Sequence, residues 1–278
     1  LTEGTLQRRT AKALRESGVR PSRRLGQNYV VDESLVSCIL EAACLSRGDT
    51  VLEIGAGTGN LTGPLADLVK KVIAVEKDEA AARYLAEAMS GRGNVEVVKG
   101  DILTISLPRV ERIVSNLPYS ISTPITFKIL TEGQFGLAAL TYQTEVAERL
   151  VALPGTHEYS RLSVMVTLLA SIRRVKDFPP GSFYPTPRVG STVVTMRKRD
   201  VEGLDLASLE GTLKALFSQR RRNLRKALTA YAKIRSTNRE RAIAAVAPSL
   251  LGKRVFELTP AEFLDLSRRL KAAAKAEG

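Results

Sequence analysis

Five short runs of apolar and β-branched residues punctuate the first half of the chain: TVLEI (50–54), KVIAVE (71–76), VEVVKG (95–100), RIVSN (112–116) and LAALTYQ (137–143). Stretches whose apolar residues recur at helical spacing separate them. Runs of Val, Ile and Ala without polar alternation belong to strands buried on both faces, the mark of a parallel sheet covered by helices. The pattern predicts a doubly wound, Rossmann-like α/β domain. A helix at about 159–171 and a Pro/Gly-rich segment, FPPGSFYPTPRVG (178–190), come next. STVVTM (191–196) is then expected to close the sheet as a final antiparallel strand. RKRDVEG (197–203) interrupts both periodicities, and from about residue 205 the pattern is helical throughout. The expected organisation is a basic N-terminal segment (1–24), an α/β domain (25–202) and a small all-helical domain (203–278).

Composition narrows this picture. With 278 residues and 44% apolar content the chain can bury a substantial core. No apolar run approaches the roughly 18 residues of a membrane span, and the Arg-containing N-terminus lacks the apolar core of a secretion signal, so a soluble cytoplasmic protein is expected. Cys38 and Cys44, the only two cysteines, fall six residues apart on one expected helix and read as two buried thiols in a reducing compartment. His157 is the sole histidine and reads as a surface residue, so no metal site is expected.

The formal charge of +13 is unevenly spread. Residues 1–26 hold seven basic and two acidic residues, residues 205–278 sixteen and seven, and the long middle is close to neutral. Basic ends on a neutral body suit a polyanion, nucleic acid above all.

Candidate chemistry gathers at the ends of the expected strands. GAGTG follows the first strand and places Gly55, Gly57 and Gly59 before a helix starting near Leu61, where backbone can approach a ligand closely. Asn60 occupies the position of the third glycine in a dinucleotide fingerprint, which argues against a nicotinamide enzyme. Glu76 ends the second strand, where a carboxylate can accept both hydroxyls of a ribose. Asp101 follows the third, where it can accept from an adenine amine. Taken alone, each carboxylate is more often a helix cap, as Asp78 and Asp101 could both be. Together with Asn116 at the fourth strand end they describe an S-adenosylmethionine site.

Within SNLPYSIS (115–122), Asn116 Oδ1 and the Leu117 carbonyl form a pair of acceptors for the two N–H bonds of an adenine amine, favouring its pyramidal, nucleophilic form. Pro118 fixes that carbonyl, and Tyr119 offers a stacking face. A base presented in this way has left its helix, which calls for a second aromatic surface. Phe183 is the candidate, with a core plug under the Pro-rich loop as its other reading.

LGQNYVVD (25–32), VLEIGAGTGNLT (51–62), VEKD (75–78), GDIL (100–103), SNLPYSIS (115–122), FYPTPRVGS (183–191) and FSQRRRNLRKAL (217–228) occur in an order that resembles the KsgA-type rRNA adenine N6,N6-dimethyltransferases. The resemblance covers nearly all of residues 20–260. It implies a class I methyltransferase domain with a C-terminal helical domain and S-adenosylmethionine as methyl donor. Gln27, Asn28 and Val30 would lie against the cofactor with Gly55, Gly57, Gly59, Glu76, Asp101 and Asn116, while Tyr119 and Phe183 would sandwich the target base.

The implied substrate is a pair of adjacent adenosines in the 3′-terminal hairpin loop of small-subunit rRNA, within an assembling particle and acted on by a monomer. Erm-type large-subunit enzymes and non-catalytic assembly factors on the same fold are the alternatives. Departures from the family pattern are mild: Tyr29 stands where Phe is usual, and Thr186 interrupts the proline run. In FSQRRRNLRKAL, Leu213, Phe217, Leu224 and Leu228 are expected on one helical stripe, with Arg220, Arg221, Arg222, Arg225 and Lys226 presented to RNA phosphates. Few Asn, Gln and Cys beside many Arg and Glu suggest a thermophile, and an archaeal source is expected.

Overall fold

The computed structural model describes residues 5–22, 26–199, 201 and 203–275. It divides into two compact units, one formed by the chain up to Ala147 with Ser171–Lys198, the other by Glu148–Ala170 with the chain from Arg199 onward.

The first unit is built on a seven-stranded sheet. Its strands are β2 (Thr50–Ile54), β3 (Lys71–Glu76), β4 (Val95–Lys99), β5 (Arg112–Asn116), β6 (Leu137–Gln143), β7 (Ala170–Phe178) and β9 (Ser191–Lys198), in spatial order β4-β3-β2-β5-β6-β9-β7. β4, β3, β2, β5 and β6 run parallel and β9 pairs antiparallel to β6. A two-residue ribbon pairs β1 (Tyr29–Val30) with β8 (Phe183–Tyr184). The helices of this part of the chain are α1 (Leu6–Ser17), α2 (Glu33–Ala42), α3 (Thr62–Leu68), α4 (Glu79–Ala88), α5 (Ser122–Glu132) and α6 (Thr144–Leu150), whose last residues pass into the second unit.

Local chemistry explains where these elements start. Asp32 and Asp78 accept the Ser34 and Ala81 backbone N–H groups as N-caps of α2 and α4. The core joins Leu35 and Ile39 of α2, Leu65 of α3 and Leu85 of α4 to Val51, Val72 and Val114 of the sheet, all essentially inaccessible. Strands buried on both faces have no reason to alternate, and for that reason they are readable as continuous apolar runs.

The second unit contains α7 (Arg161–Leu169), α8 (Leu206–Phe217), α9 (Leu224–Arg235), α10 (Arg239–Ala244) and α11 (Pro260–Lys275). Asp205, Asn223 and Asn238 cap α8, α9 and α10. Phe217 stacks on Phe263 with centroids 5.2 Å apart, and the buried Tyr159 hydroxyl donates to Leu258 O.

Several expectations change. The first helix is not a separate arm, since Leu6 joins the main core and Leu14 and Val19 pack with Tyr29 and Ala81. Glu148–Ala170, expected in the α/β domain, groups with the helical unit. Arg23, Arg24, Leu25 and Glu202, at or beside the expected boundaries, lie outside the described residues. β7 was not expected, because an edge strand carrying Arg173, Arg174, Lys176 and Asp177 has the charge that protects an edge and no apolar pattern. Residues 213–228 are not one helix: α8 ends at Phe217, a turn follows, and Asn223 starts α9. Cys38 is only half-buried, and Cys44 lies beyond α2, exposed and at φ 48°.

Candidate active site at the carboxyl edge of the sheet

Strand order reverses between β2 and β5, and a doubly wound sheet opens a crevice at the carboxyl ends of such a pair. A cavity of about 240 Å³ lies there. Its floor is the GAGTG loop. Gly55 and Gly57 have φ of +70° and +57°, and a Cβ at either would stand 2.9 Å from Pro118 Cγ or Tyr29 Cε1 respectively. The loop is wedged between two side chains at a backbone conformation that only glycine adopts without strain. Gly59 does not border the cavity; a Cβ there would meet Leu85, so its role is packing against α4.

Glu76 stands at the end of β3 with each carboxylate oxygen holding a backbone N–H, Gly57 at 2.8 Å and Asp78 at 2.7 Å. Burial pushes its carboxyl above the ordinary value, and those N–H donors oppose the shift. Asp101 behaves in the opposite way. Lys77 Nζ at 2.8 Å and the Leu103 N–H at 3.0 Å hold its carboxyl below the usual range. Both line the cavity, and Asp101 also caps its own turn.

Asn116, the last residue of β5, reaches across to the segment before β1. Its Nδ2 donates to Asn28 O at 2.7 Å, while its Oδ1 is buried without a partner. Behind it, Ser115 Oγ donates to Ile54 O at 2.5 Å and ties β5 to β2. Gln27, Asn28 and Val30 border the same cavity, with Gln27 Oε1 accepting the Ser22 N–H. Leu117 is buried, Pro118 faces the cavity, and the Tyr119 hydroxyl lies 2.6 Å from Ser191 Oγ. Phe183 does not form a parallel wall opposite Tyr119. It is 1% exposed within the main core and meets Tyr119 edge-on, with centroids 6.3 Å apart at 67°. The core-plug reading accounts for its position, because the β1–β8 pairing turns the ring inward.

Sequence reasoning assigned no place in the site to Glu53, Asn60 or Lys77, all of which border the cavity. Glu53 is 1% exposed, accepts from Thr62 Oγ1 at 2.6 Å, and is pushed up to about 8 by burial and by the neighbouring Glu76 charge against the Thr62 hydrogen bond. A carboxylate inside the apolar run TVLEI was the available signal. Asn60, where a third glycine would stand, donates through Nδ2 to Val30 O at 2.6 Å and Thr10 Oγ1 at 2.8 Å. Lys77 reaches an aspartate 24 residues away, which no local pattern announces.

Of the expected RNA contacts, Arg221, Arg222, Arg225 and Lys226 are exposed. Arg220 differs. Its Nη2 donates to Thr156 O and His157 O at 3.2 and 2.9 Å, and its guanidinium lies 5.4 Å from the Phe256 ring centroid, so it is held by the protein itself. Arg220–Arg222 occupy the turn between α8 and α9, off the single helix on which they were expected together with Arg225 and Lys226. Among the described residues no helix is long and apolar enough to cross a membrane, and no cluster of three or more His, Cys, Asp or Glu could hold a metal ion.

Residues 19–270 match the family of ribosomal RNA adenine dimethylases. The chain is 44% identical over 264 residues to the probable ribosomal RNA small subunit methyltransferase A of Methanothermobacter thermautotrophicus, covering 94% of this chain and 95% of that one. It is 41% identical to the protein of the same description from Thermococcus gammatolerans, covering 91% and 90%. Among solved structures, a dimethyladenosine transferase from Plasmodium falciparum superposes with a TM-score of 0.75 at 27% identity, over 88% of this chain and 98% of that one. The 23S rRNA methyltransferase ErmE does so with 0.62 at 31% identity, over 88% and 100%.

Proposed function

Because the chain belongs to the ribosomal RNA adenine dimethylase family, and is thus an S-adenosylmethionine-dependent rRNA adenine methyltransferase of ribosome biogenesis, we propose that it dimethylates two adjacent adenosines in the 3′-terminal hairpin loop of small-subunit rRNA. The archaeal relatives described as small subunit methyltransferases, matched nearly end to end, support this choice over large-subunit RNA. The likeness to ErmE is the reason the two substrates must be compared directly.

The residues at the sheet edge fit the cofactor. When bound, S-adenosylmethionine supplies a methyl group on a positively charged sulfur, an electrophile that needs no further activation. The Gly55–Gly57 backbone, Glu76, Asp101, Gln27, Asn28 and Val30 would hold it. The observation that carries the reading is Asn116 Oδ1, a buried acceptor without a partner at the strand end beside this cavity. An unpaired buried acceptor costs about 1–3 kcal/mol, a penalty removed when a donor arrives. The adenine amine is that donor.

Asn116 Nδ2, fixed on Asn28 O, holds the acceptor at one orientation, so the amine is met by a prepared dipole rather than by solvent. The Leu117 carbonyl takes the second N–H. Tyr119, its hydroxyl pinned by Ser191, presents the stacking face, and Phe183 backs that ring edge-on. No general base of ordinary pKa is needed, and catalysis rests on positioning and on the two acceptors. The protein acts as a monomer on a partly assembled small subunit.

The deciding experiment incubates unmethylated small subunits, and separately naked large-subunit RNA, with the protein and S-adenosylmethionine, and reads the nucleosides by mass spectrometry. N6,N6-dimethyladenosine in the small subunit alone is expected. Product in the large-subunit RNA alone would transfer the assignment to an ErmE-like substrate.

A further inference from the structure

The Pro-rich strip that follows Phe183 is pinned at both ends. At one end the Val31 N–H donates to Ser182 O at 2.9 Å and Ser182 Oγ donates to Asp32 Oδ2 at 2.7 Å. At the other the Thr144 N–H donates to Gly190 O at 3.0 Å, and Ser191 Oγ lies 2.6 Å from the Tyr119 hydroxyl. Between these anchors Pro185 and Pro187 each fix a backbone φ. Exposure alternates along the strip: Tyr184, Thr186 and Arg188 are exposed, whereas Pro185, Pro187 and Val189 are half-buried.

Tyr184 is the member of this strip that packing does not explain. It is 48% exposed, and no other phenylalanine or tyrosine among the described residues is exposed. One exposed ring is ordinary on a protein surface. The register that places this one is not. Across the β1–β8 ribbon Val30 pairs with Phe183 and Tyr29 with Tyr184, and residues directly opposite each other share a face. Val30 and Phe183 fill the main core, so Tyr29 and Tyr184 occupy the other face, on which Tyr29 borders the cofactor cavity. Tyr184 therefore stands at the rim of the pocket, one residue along from the ring that meets Tyr119. Arg188, farther along the same strip, has no ion-pair partner among the described residues.

We propose that Tyr184 stacks on the base next to the target adenosine, with Arg188 on the adjoining phosphate, as a flanking-nucleotide site outside the pocket that takes the target base. The proposal rests on the reading above, in which the target amine enters at Asn116, and adds a place for its neighbour. A base drawn into the pocket leaves that neighbour without a stacking partner. A ring held still at the rim restores the lost contact whatever the base, since every base has a π-face, and a ring beside a guanidinium suits an unpaired strand. With two adjacent adenosines as substrate, the ring holds whichever of them is not in the pocket.

The test uses the full chain and unmethylated small subunits in which 2-aminopurine replaces one or the other of the two adenosines. This base lacks the 6-amino group, so it reports the neighbour rather than the target, and it loses fluorescence when it stacks. The wild type should quench it. Tyr184→Ala should leave it bright, and Tyr184→Phe, which keeps the ring, should quench it again. Tyr184→Ala should also raise KM for unsubstituted small subunits about tenfold without a matching fall in kcat, because the stack is made before the transition state as well as in it. Arg188→Ala should lower the slope of log K against log salt by about 0.7, one phosphate of an unpaired strand. Unchanged melting temperature and S-adenosylmethionine binding show that the variants remain folded.

Quenching by Tyr184→Ala equal to that of the wild type would overturn the proposal. So would a Tyr184→Phe variant that behaves as Tyr184→Ala does, since the hydroxyl and not the ring would then matter, and an unchanged salt slope in Arg188→Ala would overturn the phosphate contact. The enzymatic reading is judged separately by dimethyladenosine formed in unsubstituted subunits. A wild type that methylates those and leaves 2-aminopurine bright loses only the flanking site, and one that quenches without methylating loses only the reaction.

Discussion

The cavity at the sheet edge and the basic surface of the helical unit treat their polar side chains in opposite ways. At the sheet edge they turn inward, are held by backbone groups at strand ends, and leave Asn116 Oδ1 unpaired, as they do the Tyr29 and Thr58 hydroxyls. On the helical unit the backbone holds only the turn, and Arg221, Arg222, Arg225 and Lys226 extend from it into solvent. Chemistry on an amine needs an acceptor fixed to a fraction of an ångström, which strand register supplies. Contact with a phosphate tolerates a moving side chain, because charge acts without directional demand. Single substitutions should therefore have steep effects in the first region and graded ones in the second.

Asn116→Ala tests the steep side most directly. Single-turnover methyl incorporation should fall about 10²–10³-fold while rRNA affinity stays unchanged. Gly55→Ala comes next, since it places a Cβ 2.9 Å from Pro118 Cγ in a left-handed conformation. Calorimetry should show S-adenosylmethionine bound about tenfold more weakly, in keeping with a strain of about 1–2 kcal/mol.

Glu53 connects the pocket to pH. Its carboxyl titrates at about 8 in the fold and near the ordinary glutamate value when unfolded, so between those values the folded state carries the extra proton. That group's contribution is complete at low pH and is lost as pH rises through about 8. Glu53→Gln, which keeps an acceptor for Thr62, should melt close to the parent at pH 5 and above it at pH 8 in parallel calorimetric scans.

On the graded side, Arg225→Ala should lower the salt slope of RNA binding by about 0.7 to 0.9 and leave turnover at saturating RNA untouched. The smallest change is expected for Arg269→Ala, which removes an exposed i,i+4 pair with Asp265 and should cost at most about 0.5 kcal/mol in urea denaturation. Equal losses in the Asn116 and Arg225 variants in one assay would collapse the distinction.

The same contrast explains what the sequence showed. The inner parallel strands β2, β3, β5 and β6 were readable because burial leaves their apolar runs nearly uninterrupted, the edge strand β4 because of its valines, and the strand ends set where Gly55, Glu76, Asp101 and Asn116 would meet. β7 was hidden by its edge charges. The break between α8 and α9 was hidden by coincidence, since Leu213, Phe217, Leu224 and Leu228 keep helical spacing across a turn, and the Asn223 cap that marks it was overlooked. Arg220 could not be told from its neighbours, because its partners lie 63 and 64 residues away in sequence. Phe183 was read in a Pro-rich loop, either as a stacking face or as a core plug; its place in a strand follows from the β1–β8 pairing, which two-residue strands do not announce.

Thr10 of α1 shares its hydroxyl with Asn60, and Leu14 packs with Ala81. During synthesis this helix leaves the ribosome before any of those partners exists. At about 5–20 residues per second, the roughly fifty residues that separate Thr10 from Asn60 take on the order of 3–10 s to follow. This helix thus waits for the middle of the chain, and the floor of the pocket is complete only once earlier and later parts of the polypeptide have met.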